Sequence, residues 1–301
     1  MIKIAFHPSF VLPLPAGHRF PMEKYELIPA QLLHEGAIKP EQLFEPEICT
    51  REILQLTHST EYIQAVEEGK LSPGEMRKIG LPWSPEMVER EKRIMQGSVD
   101  CAMFALQYGV ALNVAGGTHH AFADRGEGFC IFNDFAVAAN YLLKRKLVDY
   151  ILILDLDVHQ GNGTARIFEG SAHVFTCSIH GRHNYPFHKE KSHLDVALED
   201  GTAGTEYLEI LEKTLKNLEE LFPDPGVVMY NCGADVLETD RFGKLKLSME
   251  DCRNRDLQVM TWCRKNGFPL VVAMGGGYSE KTGYIVQAQC NTFRTAVALW
   301  D

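Results

Sequence analysis

The sequence has 301 residues, of which 45% are hydrophobic and 23% are charged, and its formal net charge is −10. These are the proportions of an ordinary globular protein, and the length fits one large α/β domain or, as the weaker alternative, two small ones. The acidic balance and the lack of a basic run argue against direct binding of nucleic acid. They favour cationic partners instead, such as lysine-rich peptides or polyamines.

The eight cysteines are scattered along the chain and form no Cys-x-x-Cys pair. Most of them stand beside apolar residues, which favours buried, reduced thiols over disulfide bonds. The amino terminus resembles a first strand rather than a signal peptide, and no apolar run approaches the length of a membrane span. We therefore expect a cytoplasmic protein without a membrane-spanning segment.

Short, continuous apolar runs alternate with longer helix-like stretches along most of the chain. Continuous runs are typical of strands covered on both faces, and their alternation with helices predicts a parallel sheet between layers of helices. The prediction is a single three-layer α/β domain over residues 1–301 with a central, mostly parallel sheet. We predict strands at residues 2–6, 110–114, 150–154, 174–178, 227–230 and 270–274, and helices at 87–108, 135–146, 205–221, 249–265 and 283–299.

The first hundred residues are less regular, and four prolines between residues 8 and 21 indicate a loop-rich start. No internal repeat, low-complexity tract or linker divides the chain. Almost every chemically informative side chain comes directly after a predicted strand, which is where open α/β sheets place their ligand sites.

The predicted strand at 150–154 runs into the pattern Asp155-x-Asp157-x-His159. Because side chains on a strand alternate between its two faces, these three project to one side. Carboxylate and imidazole groups are ligands that zinc and similar divalent metals accept. A buried strand end with three such groups needs a cation or hydrogen-bond partners, so the segment predicts half of a metal site.

Three further segments carry polar groups directly after predicted strands. They are Gly-Gly-Thr-His119-His120, Asn-Cys-Gly-Ala-Asp235 and Gly-Gly-Gly-Tyr278. Taken alone, a His-His pair is more often a surface or capping feature, and Gly-Gly-Gly-Tyr is more often a turn. Four such segments in one chain, each at a strand end, indicate one shared site.

Together these motifs resemble those of the zinc-dependent histone deacetylase superfamily, which has the arginase/deacetylase fold. The resemblance covers roughly residues 1–300 and includes the further motif Gly128-Phe129-Cys-x-x-Asn133-Asp134. The stretches 159–163 and 235–241 are most similar to the class IV branch, to which bacterial-type deacetylase-like amidohydrolases are related.

The resemblance implies one zinc ion per chain, held by Asp157, His159 and Asp235, with an open position for water or a substrate oxygen. Two carboxylates and one neutral imidazole bring the formal charge around zinc to zero. Such a centre should acidify its water less than an all-histidine site does, so the reaction needs a separate base.

By the same resemblance, His120 is the general base and later the acid toward the leaving amine, with His119 as its electrostatic partner. Tyr278 would donate a hydrogen bond to the oxyanion of the tetrahedral intermediate. Asp155 would accept a hydrogen bond from His119, and Asn162 from His120; class I members carry an aspartate at the latter position. Because a neutral amide raises imidazole basicity less than a carboxylate does, His119 should be the more readily protonated of the two.

Four residues are expected to bind the substrate. Gly128, Phe129 and Tyr185 resemble walls of a narrow channel for an acyl-lysine, and Gly276 would lie against the substrate near the metal. Plain core packing is the alternative for Phe129, and the alignment of Tyr185 with the family is loose.

The family resemblance also implies a structural potassium ion near the zinc-binding strand. Potassium accepts oxygen ligands from side chains and from the backbone. The side chains of Asp155 and Ser178 and the backbone carbonyls of Asp157, His159 and Ile179 would line this site.

Other histidines attract attention without a clear pattern. His180, His183, His188 and His193 could hold a second metal, but their spacing is irregular and favours a solvated or rim loop. His58 lies in a motif-like stretch and is expected to cap a helix.

The function implied is that of a zinc amidohydrolase that removes an acetyl or longer acyl group from a lysine side chain or a related amine. Acylated lysine peptides, acylated polyamines and small acylated amines all need the same core. A ureohydrolase with two manganese ions and an inactive scaffold that binds acyl-lysine are the alternatives. The tandem His119-His120 and Tyr278 favour the deacetylase over the ureohydrolase, and the fully occupied catalytic positions argue against the scaffold.

Overall fold

The computed structural model describes all 301 residues and contains eight β-strands. Six of them coincide with the predicted runs, and two were not predicted. The two additional strands are a two-residue strand and a partly exposed strand, so neither has the continuous apolar run of a buried strand. In chain order the strands are β1 (Lys3–Ala5), β2 (Leu43–Phe44), β3 (Val110–Asn113), β4 (Ile151–Asp155), β5 (Val174–Gly181), β6 (Leu194–Leu198), β7 (Val227–Asn231) and β8 (Leu270–Ala273).

All eight strands form one parallel sheet in the order β2-β1-β3-β8-β7-β4-β5-β6. The four strands β3, β8, β7 and β4 are neighbours in its middle, and every residue in them is buried. Their carboxyl ends lie at the same edge of the sheet because the strands are parallel. The four motif segments of the sequence follow these four strands, so the fold brings the segments together.

Ten helices surround the sheet, and the five predicted ones are present. The first hundred residues were expected to be less regular, but this part contains four short helices that were not predicted and most of a long one. Three of the short helices have eight residues or fewer, and the fourth contains Pro29, which lacks a backbone donor and obscures the pattern. The helices are α1 (Lys24–His34), α2 (Arg51–Leu54), α3 (Thr60–Glu67), α4 (Pro73–Ile79), α5 (Pro85–Tyr108), α6 (Asp134–Lys144), α7 (Asn162–Ile167), α8 (Gly204–Leu221), α9 (Met249–Asn266) and α10 (Thr282–Trp300).

The long helices begin and end at recognisable signals. The Ser84 side chain accepts a hydrogen bond from the third residue of α5, and Gly109 ends this helix in the left-handed conformation. Ser248 and Asp251 form a reciprocal capping box at the start of α9, and Gly267 follows its end. Helix α5 packs against α6 and β3, whereas α9 packs against α8 and α10.

The apolar core is continuous through the sheet and the helices around it. All eight cysteines are buried and unpaired, as the sequence predicted. None of the helices combines the length and the apolar character that crossing a membrane requires.

Candidate active site

Asp157, His159 and Asp235 come together just beyond the ends of β4 and β7. All three are buried, and their potential ligand atoms lie within 4.8 Å of one another. The Nδ1 atom of His159 lies 3.1 Å from Asp157 Oδ1 and 3.0 Å from Asp235 Oδ2. Two carboxylates and one imidazole that converge in this way form a donor set that suits a divalent cation.

Burial makes the negative charges of this group costly. Burial and the neighbouring Asp157 carboxylate together raise the pKa of Asp235 to about 7. Burial opposes the charge of Asp157 too, but the nearby imidazoles of His119 and His159 hold its pKa well below the usual range. A bound cation would reduce the cost of keeping both carboxylates ionised in this buried position.

Backbone amides orient the two carboxylates. The amide of Gly276 donates to Asp157 Oδ2 over 2.8 Å, and the amide of Val158 donates to Asp235 Oδ1 over 2.9 Å. A Cβ atom on Gly276 would lie only 2.1 Å from Asp235 Oδ2. Glycine is therefore required here for close approach of the backbone, which gives the Gly-Gly-Gly-Tyr motif a physical reason.

A buried arginine under the ligand group was not predicted. The guanidinium of Arg255 donates to the carbonyl oxygens of Gly233 over 2.7 Å and Cys232 over 3.0 Å, directly before Asp235. It also pairs with the buried Asp256 over 2.8 Å. The sequence does contain a signal, because these two charged residues stand on the buried stripe of α9 at helical spacing.

The two histidines of the His-His pair lie side by side, with ring centres 4.1 Å apart. The Nδ1 atom of His119 lies 2.6 Å from Asp155 Oδ2, and the Nδ1 atom of His120 lies 2.7 Å from Asn162 Oδ1. The structure thus brings each histidine to the partner that the sequence assigned to it. The Nε2 atom of His120 makes no hydrogen bond within the protein, and His120 lines the pocket above the ligand group.

The two histidines differ in protonation in the predicted direction. Burial opposes a charge on His119, but the carboxylates of Asp155 and Asp157 outweigh it and raise the pKa of His119 to about 9. Burial and the neighbouring His119 and His159 hold the pKa of His120 well below its usual range. At neutral pH the pair therefore consists of a cation at His119 and a neutral imidazole at His120, which can accept a proton.

The first turn of α6 positions the segment that carries the histidine pair. The Asp134 carboxylate accepts from the amide and the hydroxyl of Thr118, both over 2.9 Å, and from the Ser98 hydroxyl over 2.6 Å. The Asn133 side chain caps α6 and donates to the Ala121 carbonyl over 3.0 Å. These contacts explain why the Asn-Asp pair accompanies the histidine motif.

Gly128 and Phe129 form a tight turn beside His120, and both have a left-handed backbone, with φ of 59° and 67°. A Cβ atom on Gly128 would lie 2.6 Å from the His120 ring. The Phe129 amide donates to the Ile79 carbonyl over 2.7 Å, which ties the turn to the end of α4. A left-handed conformation is rare for a phenylalanine, and such strain is concentrated at functional sites.

Aromatic rings form the walls of the pocket. The Phe129 ring centre lies 5.3 Å from that of Phe20 and 5.9 Å from that of Tyr278. The Tyr185 ring meets the His120 ring edge-on at 5.0 Å. Phe129 also touches the apolar core, so its two predicted environments, channel wall and core, are both present.

Tyr278 is held at its backbone and free at its hydroxyl. Its amide donates to Asp240 Oδ2 over 2.6 Å, and its carbonyl accepts from Arg241 Nε over 2.8 Å. The hydroxyl makes no hydrogen bond within the protein. Burial, together with the charges of Asp157 and Asp235, raises the pKa of Tyr278 well above its usual value, so the hydroxyl keeps its proton.

Two expectations about other histidines are wrong. His180 is not part of a solvated loop: it is buried on β5, bonds Ser178 Oγ over 3.0 Å, and burial lowers its pKa to about 4. His58 does not cap the helix that follows it, because Ser59 does. It is buried and accepts from the Asn133 amide over 3.0 Å, a contact between distant segments that local spacing does not reveal.

Comparisons with known proteins agree with this geometry. A family model described as the histone deacetylase domain matches residues 18–293. The chain is 41% identical to an uncharacterized protein of Picosynechococcus sp. over 97% of both chains. It is 28% identical to histone deacetylase 2 of Arabidopsis thaliana, over 89% of this chain and 72% of that one.

Solved structures agree as well. A crystal structure of an HDAC homolog complexed with SAHA matches with a TM-score of 0.84 and 26% identity, over 98% of this chain and 84% of that one. The sheet and its flanking helices are those of the arginase/deacetylase fold. The chain belongs to the histone deacetylase family, a family of metal-dependent hydrolases.

Proposed function

We propose that residues 1–301 form one zinc-dependent deacylase domain, which hydrolyses the amide between an acyl group and a lysine side chain or related amine. One observation carries this proposal. Asp157 and His159 of the buried carboxylate–imidazole–carboxylate group, a neutral histidine beside a cationic one, and a tyrosine with a free hydroxyl all line the same pocket. Each of these groups serves a different need of amide hydrolysis, which is very slow unaided.

Asp157, His159 and Asp235 would hold one zinc ion, which supplies Lewis-acid activation of the water and the amide carbonyl. Their convergence and burial support this assignment. Asp155 is not expected to be a further zinc ligand, because its oxygens accept from His119, from Asn231 over 3.0 Å and from the Asp157 amide over 3.2 Å. This arrangement favours a site for one metal over the two-manganese site of a ureohydrolase.

His120 is proposed to move the protons. Its Nδ1 atom is occupied by Asn162, so its Nε2 atom is the one that can accept a proton from water and later deliver it to the leaving amine. Because the pKa of His120 is low, the proton it accepts is readily given up again. The cationic His119 beside it would stabilise negative charge that develops on the substrate.

Tyr278 is proposed to donate its hydroxyl proton in a hydrogen bond to the developing oxyanion. The raised pKa of Tyr278 supports a donor role, because the hydroxyl remains protonated throughout the working pH range. The rings of Phe129 and Tyr185, with Gly128 and Gly276 where no side chain fits, would bind the stem of the acylated amine.

The acyl group is proposed to be short. The inner pocket between His119, Tyr278 and the glycine segments has a volume of about 30 Å³. This is room for about two or three waters, which suits an acetyl group and not a long acyl chain. We therefore expect acetyl-lysine peptides to be hydrolysed faster than octanoyl-lysine peptides of the same sequence.

Two further assignments belong to this proposal. A structural potassium ion would lie beside Asp155 and Ser178, which are buried register partners on β4 and β5. The eight buried, unpaired cysteines support a reducing, cytoplasmic setting.

Metal analysis combined with a fluorogenic acetyl-lysine peptide tests the proposal. One zinc per chain with turnover supports it. Two manganese ions per chain would support the ureohydrolase instead, and tight peptide binding without turnover would support the inactive scaffold.

Two variants separate the metal from the oxyanion donor. Asp235→Ala should lose the metal, whereas Asp149→Ala, a change at an exposed aspartate, should keep it. Tyr278→Phe should keep the metal and lose about 10²- to 10³-fold in kcat, as expected for one oxyanion donor. Tyr284→Phe, on the exposed face of α10, is the matched control. Full activity of Tyr278→Phe would contradict its assignment.

A further inference from the structure

Beyond the Phe129 turn, the pocket opens into a wide mouth. The fully charged side chains that line this mouth are all lysines and arginines. The mouth has a volume of about 630 Å³, and no aspartate or glutamate lines it. This is unexpected in a chain with a net charge of −10. The cations are Arg19, Arg77, Lys78, Arg241 and Lys244.

Most of this positive charge is not neutralised by the protein. Lys244 lies 3.4 Å from Asp200 Oδ2, and His183, also at the mouth, faces the other oxygen of the same carboxylate at 3.2 Å. The other four cations are exposed and have no carboxylate within ion-pair distance. Free cations on a cavity wall attract anions from solution.

Helix geometry explains only part of the cluster. Arg77 and Lys78 stand in the last turn of α4, where cations are favourable in any helix. Arg19 and Arg241 lie outside helices, and their guanidinium carbons lie 5.5 and 5.8 Å from the centre of the Phe242 ring. Cations from separate segments therefore converge on the path by which a substrate reaches the inner site.

We infer that the acylated amine carries anionic groups, carboxylates above all, close to the amide that is cleaved. This inference rests on the proposed deacylase function and narrows its substrate. Carboxylates can form bidentate pairs with the arginines of the mouth. Polyamines and lysine-rich segments, which the net charge alone favoured, would meet like charge here. The anion can belong to residues that flank an acyl-lysine in a peptide or to the carboxylate of a single acylated amino acid.

The test uses acetyl-lysine peptides that differ only in having aspartate, asparagine or lysine on both sides of the acetyl-lysine. We expect kcat/KM to fall in that order, by about tenfold overall at low salt, because one exposed ion pair contributes up to about fivefold. The difference should shrink as salt is added. Nα-blocked acetyl-lysine, with its carboxylate free or amidated, distinguishes a single amino acid from a peptide as the source of the anion.

A charge-reversal pair locates the effect. Arg77→Glu with Lys78→Glu should reduce the ratio of kcat/KM between aspartate and lysine peptides. The same change at Arg264 and Lys265, an exposed Arg-Lys pair in the last turn of α9, should leave the ratio unchanged. The inference would be overturned if the ratio of kcat/KM between aspartate and lysine peptides were the same in both variants. It would also be overturned if the parent protein hydrolysed all three peptides at equal rates. In either case the deacylase function would stand. Absence of turnover on every substrate would refute both.

A second, independent feature lies behind His120. The Asn162 side chain that faces His120 is itself held by a carboxylate, because its Nδ2 atom donates to Glu127 Oε1 over 2.5 Å. Burial and the nearby Glu127 carboxylate also raise the pKa of Tyr185. Glu127 directly precedes the turn at Gly128, so this turn brings it next to the histidine.

The contact decides which way the Asn162 amide points. An amide can present either its oxygen or its nitrogen to a neighbour, whereas an ionised carboxylate only accepts. Glu127 therefore keeps the nitrogen of Asn162 on its own side and turns the oxygen toward His120. The Nδ1 atom of His120 must then carry the ring proton, which leaves the lone pair on Nε2, toward the pocket.

We propose that Glu127 is a positioning residue that fixes the tautomer of His120 through Asn162 without touching the substrate. It does indirectly what an aspartate at position 162 would do directly. Without Glu127, the Asn162 amide can turn its nitrogen toward His120 and stabilise the tautomer that cannot accept a proton at Nε2.

A rescue experiment distinguishes this role from space filling. Glu127→Ala should lower kcat by about 10- to 100-fold, the usual range for a group that orients a catalytic ligand, with little change in KM. Glu127→Gln, which can still accept from Asn162, should cost much less. Adding Asn162→Asp to Glu127→Ala should restore most of kcat, because an aspartate offers only acceptors to His120, although the space left by Glu127 remains empty.

Nitrogen NMR of His120 gives a readout that is independent of turnover. The Nδ1-protonated tautomer should dominate in the parent and in the double variant, and a mixture should appear in Glu127→Ala. The positioning role of Glu127 would be refuted if Glu127→Ala and the double variant were equally impaired and had the same tautomer of His120. Full activity of Glu127→Ala would refute it as well. If Glu127→Ala does not fold, Asn162→Asp should be impaired by the facing Glu127 carboxylate and restored by Glu127→Gln. Failure of that restoration would also refute it.

Discussion

The inner site and the mouth of the pocket are built in different ways. The inner site lies at the ends of four adjacent central strands, and its ligand group and histidines are buried. Backbone amides hold the carboxylates of the ligand group, and Asp155 and Asn162 hold the two histidines. The mouth is formed by segments outside the sheet, and its cations are exposed and mostly unpaired. We therefore expect the chemistry to depend on the sheet, and the choice of substrate to depend on segments that can vary without disturbing the sheet.

This difference can be tested. A change in the inner site should affect metal binding or kcat with every substrate, whereas a change at the mouth should depend on what the substrate carries.

Removal of the metal should abolish turnover on every acylated substrate, whatever its charge. Chelation followed by dialysis should also lower the Tm, because a ligand that binds only the folded state stabilises it. Added zinc should restore both. Turnover, metal content and Tm measured on the same sample check this, and a metal-free protein with full turnover would contradict the proposed centre.

Arg255→Met should destabilise the fold by about 3–5 kcal/mol, because it leaves the buried Asp256 without its ion-pair partner. The carbonyls of Gly233 and Cys232 would lose their donor as well. Urea unfolding measures the change in the free energy of unfolding. Arg253→Met, at an exposed position on the same helix, should change it by less than about 0.5 kcal/mol. Equal effects in the two variants would show that the buried pair contributes nothing special.

Gly276→Ala should weaken metal binding by about 10- to 100-fold, because the added methyl displaces the Asp235 carboxylate. Zinc affinity by competition with a chromogenic chelator measures the loss. Gly283→Ala, where an added methyl meets no atom within 4 Å, is the control. Unchanged affinity in Gly276→Ala would place the ligand group elsewhere.

The pH dependence of kcat/KM should reveal the partner of His120. Because burial and the neighbouring cationic His119 lower the pKa of His120, the acidic limb should lie below the usual histidine range. An aspartate at position 162 would stabilise the protonated ring and raise that pKa, so activity would be lost at a higher pH as the solution is acidified. In a Glu127→Gln background, Asn162→Asp should move the limb upward by about one pH unit. An unchanged limb would contradict His120 as the base.

Phe187→Ala should have the smallest effect. This ring is 85% exposed at the mouth and contacts Tyr185 with ring centres 6.4 Å apart. We expect KM for peptides to rise by about two- to threefold at unchanged kcat and stability, since exposed substitutions rarely exceed about 0.5 kcal/mol. Kinetics with a peptide and with a single acetylated amino acid check this, because only the peptide reaches far enough to touch the ring. A large fall in kcat would remove the distinction between mouth and inner site.

The central strands and the residues of the inner site could be predicted because local patterns encode them. The pattern Asp155-x-Asp157-x-His159 marks the end of β4 and the turn that follows it, and the apolar run before it marks a strand buried on both faces. The difference in pKa between His119 and His120 could also be predicted, because it depends on whether the partner of each histidine is a carboxylate or an amide.

The remaining features depend on contacts between distant segments. Glu127 meets Asn162 beside the left-handed turn at Gly128 and Phe129, and Arg255 reaches from α9 to the carbonyl of Gly233, two residues before Asp235. The basic mouth combines residues from 19 to 244, so its local charge cannot be inferred from the net charge of the chain. No local spacing contains this information.

The order of strands has a consequence for how the protein folds. Strand β8 is the last to be synthesised, yet it lies in the middle of the sheet, between β3 and β7. Without β8 the strand order falls into two groups, β2-β1-β3 and β7-β4-β5-β6, and neither group contains the Gly276 amide that holds Asp157. Pairing over such long stretches of chain is slow. We therefore expect a chain that stops before β8 to bind a metal more weakly than the full chain, because Asp157 would lack the Gly276 amide that orients it.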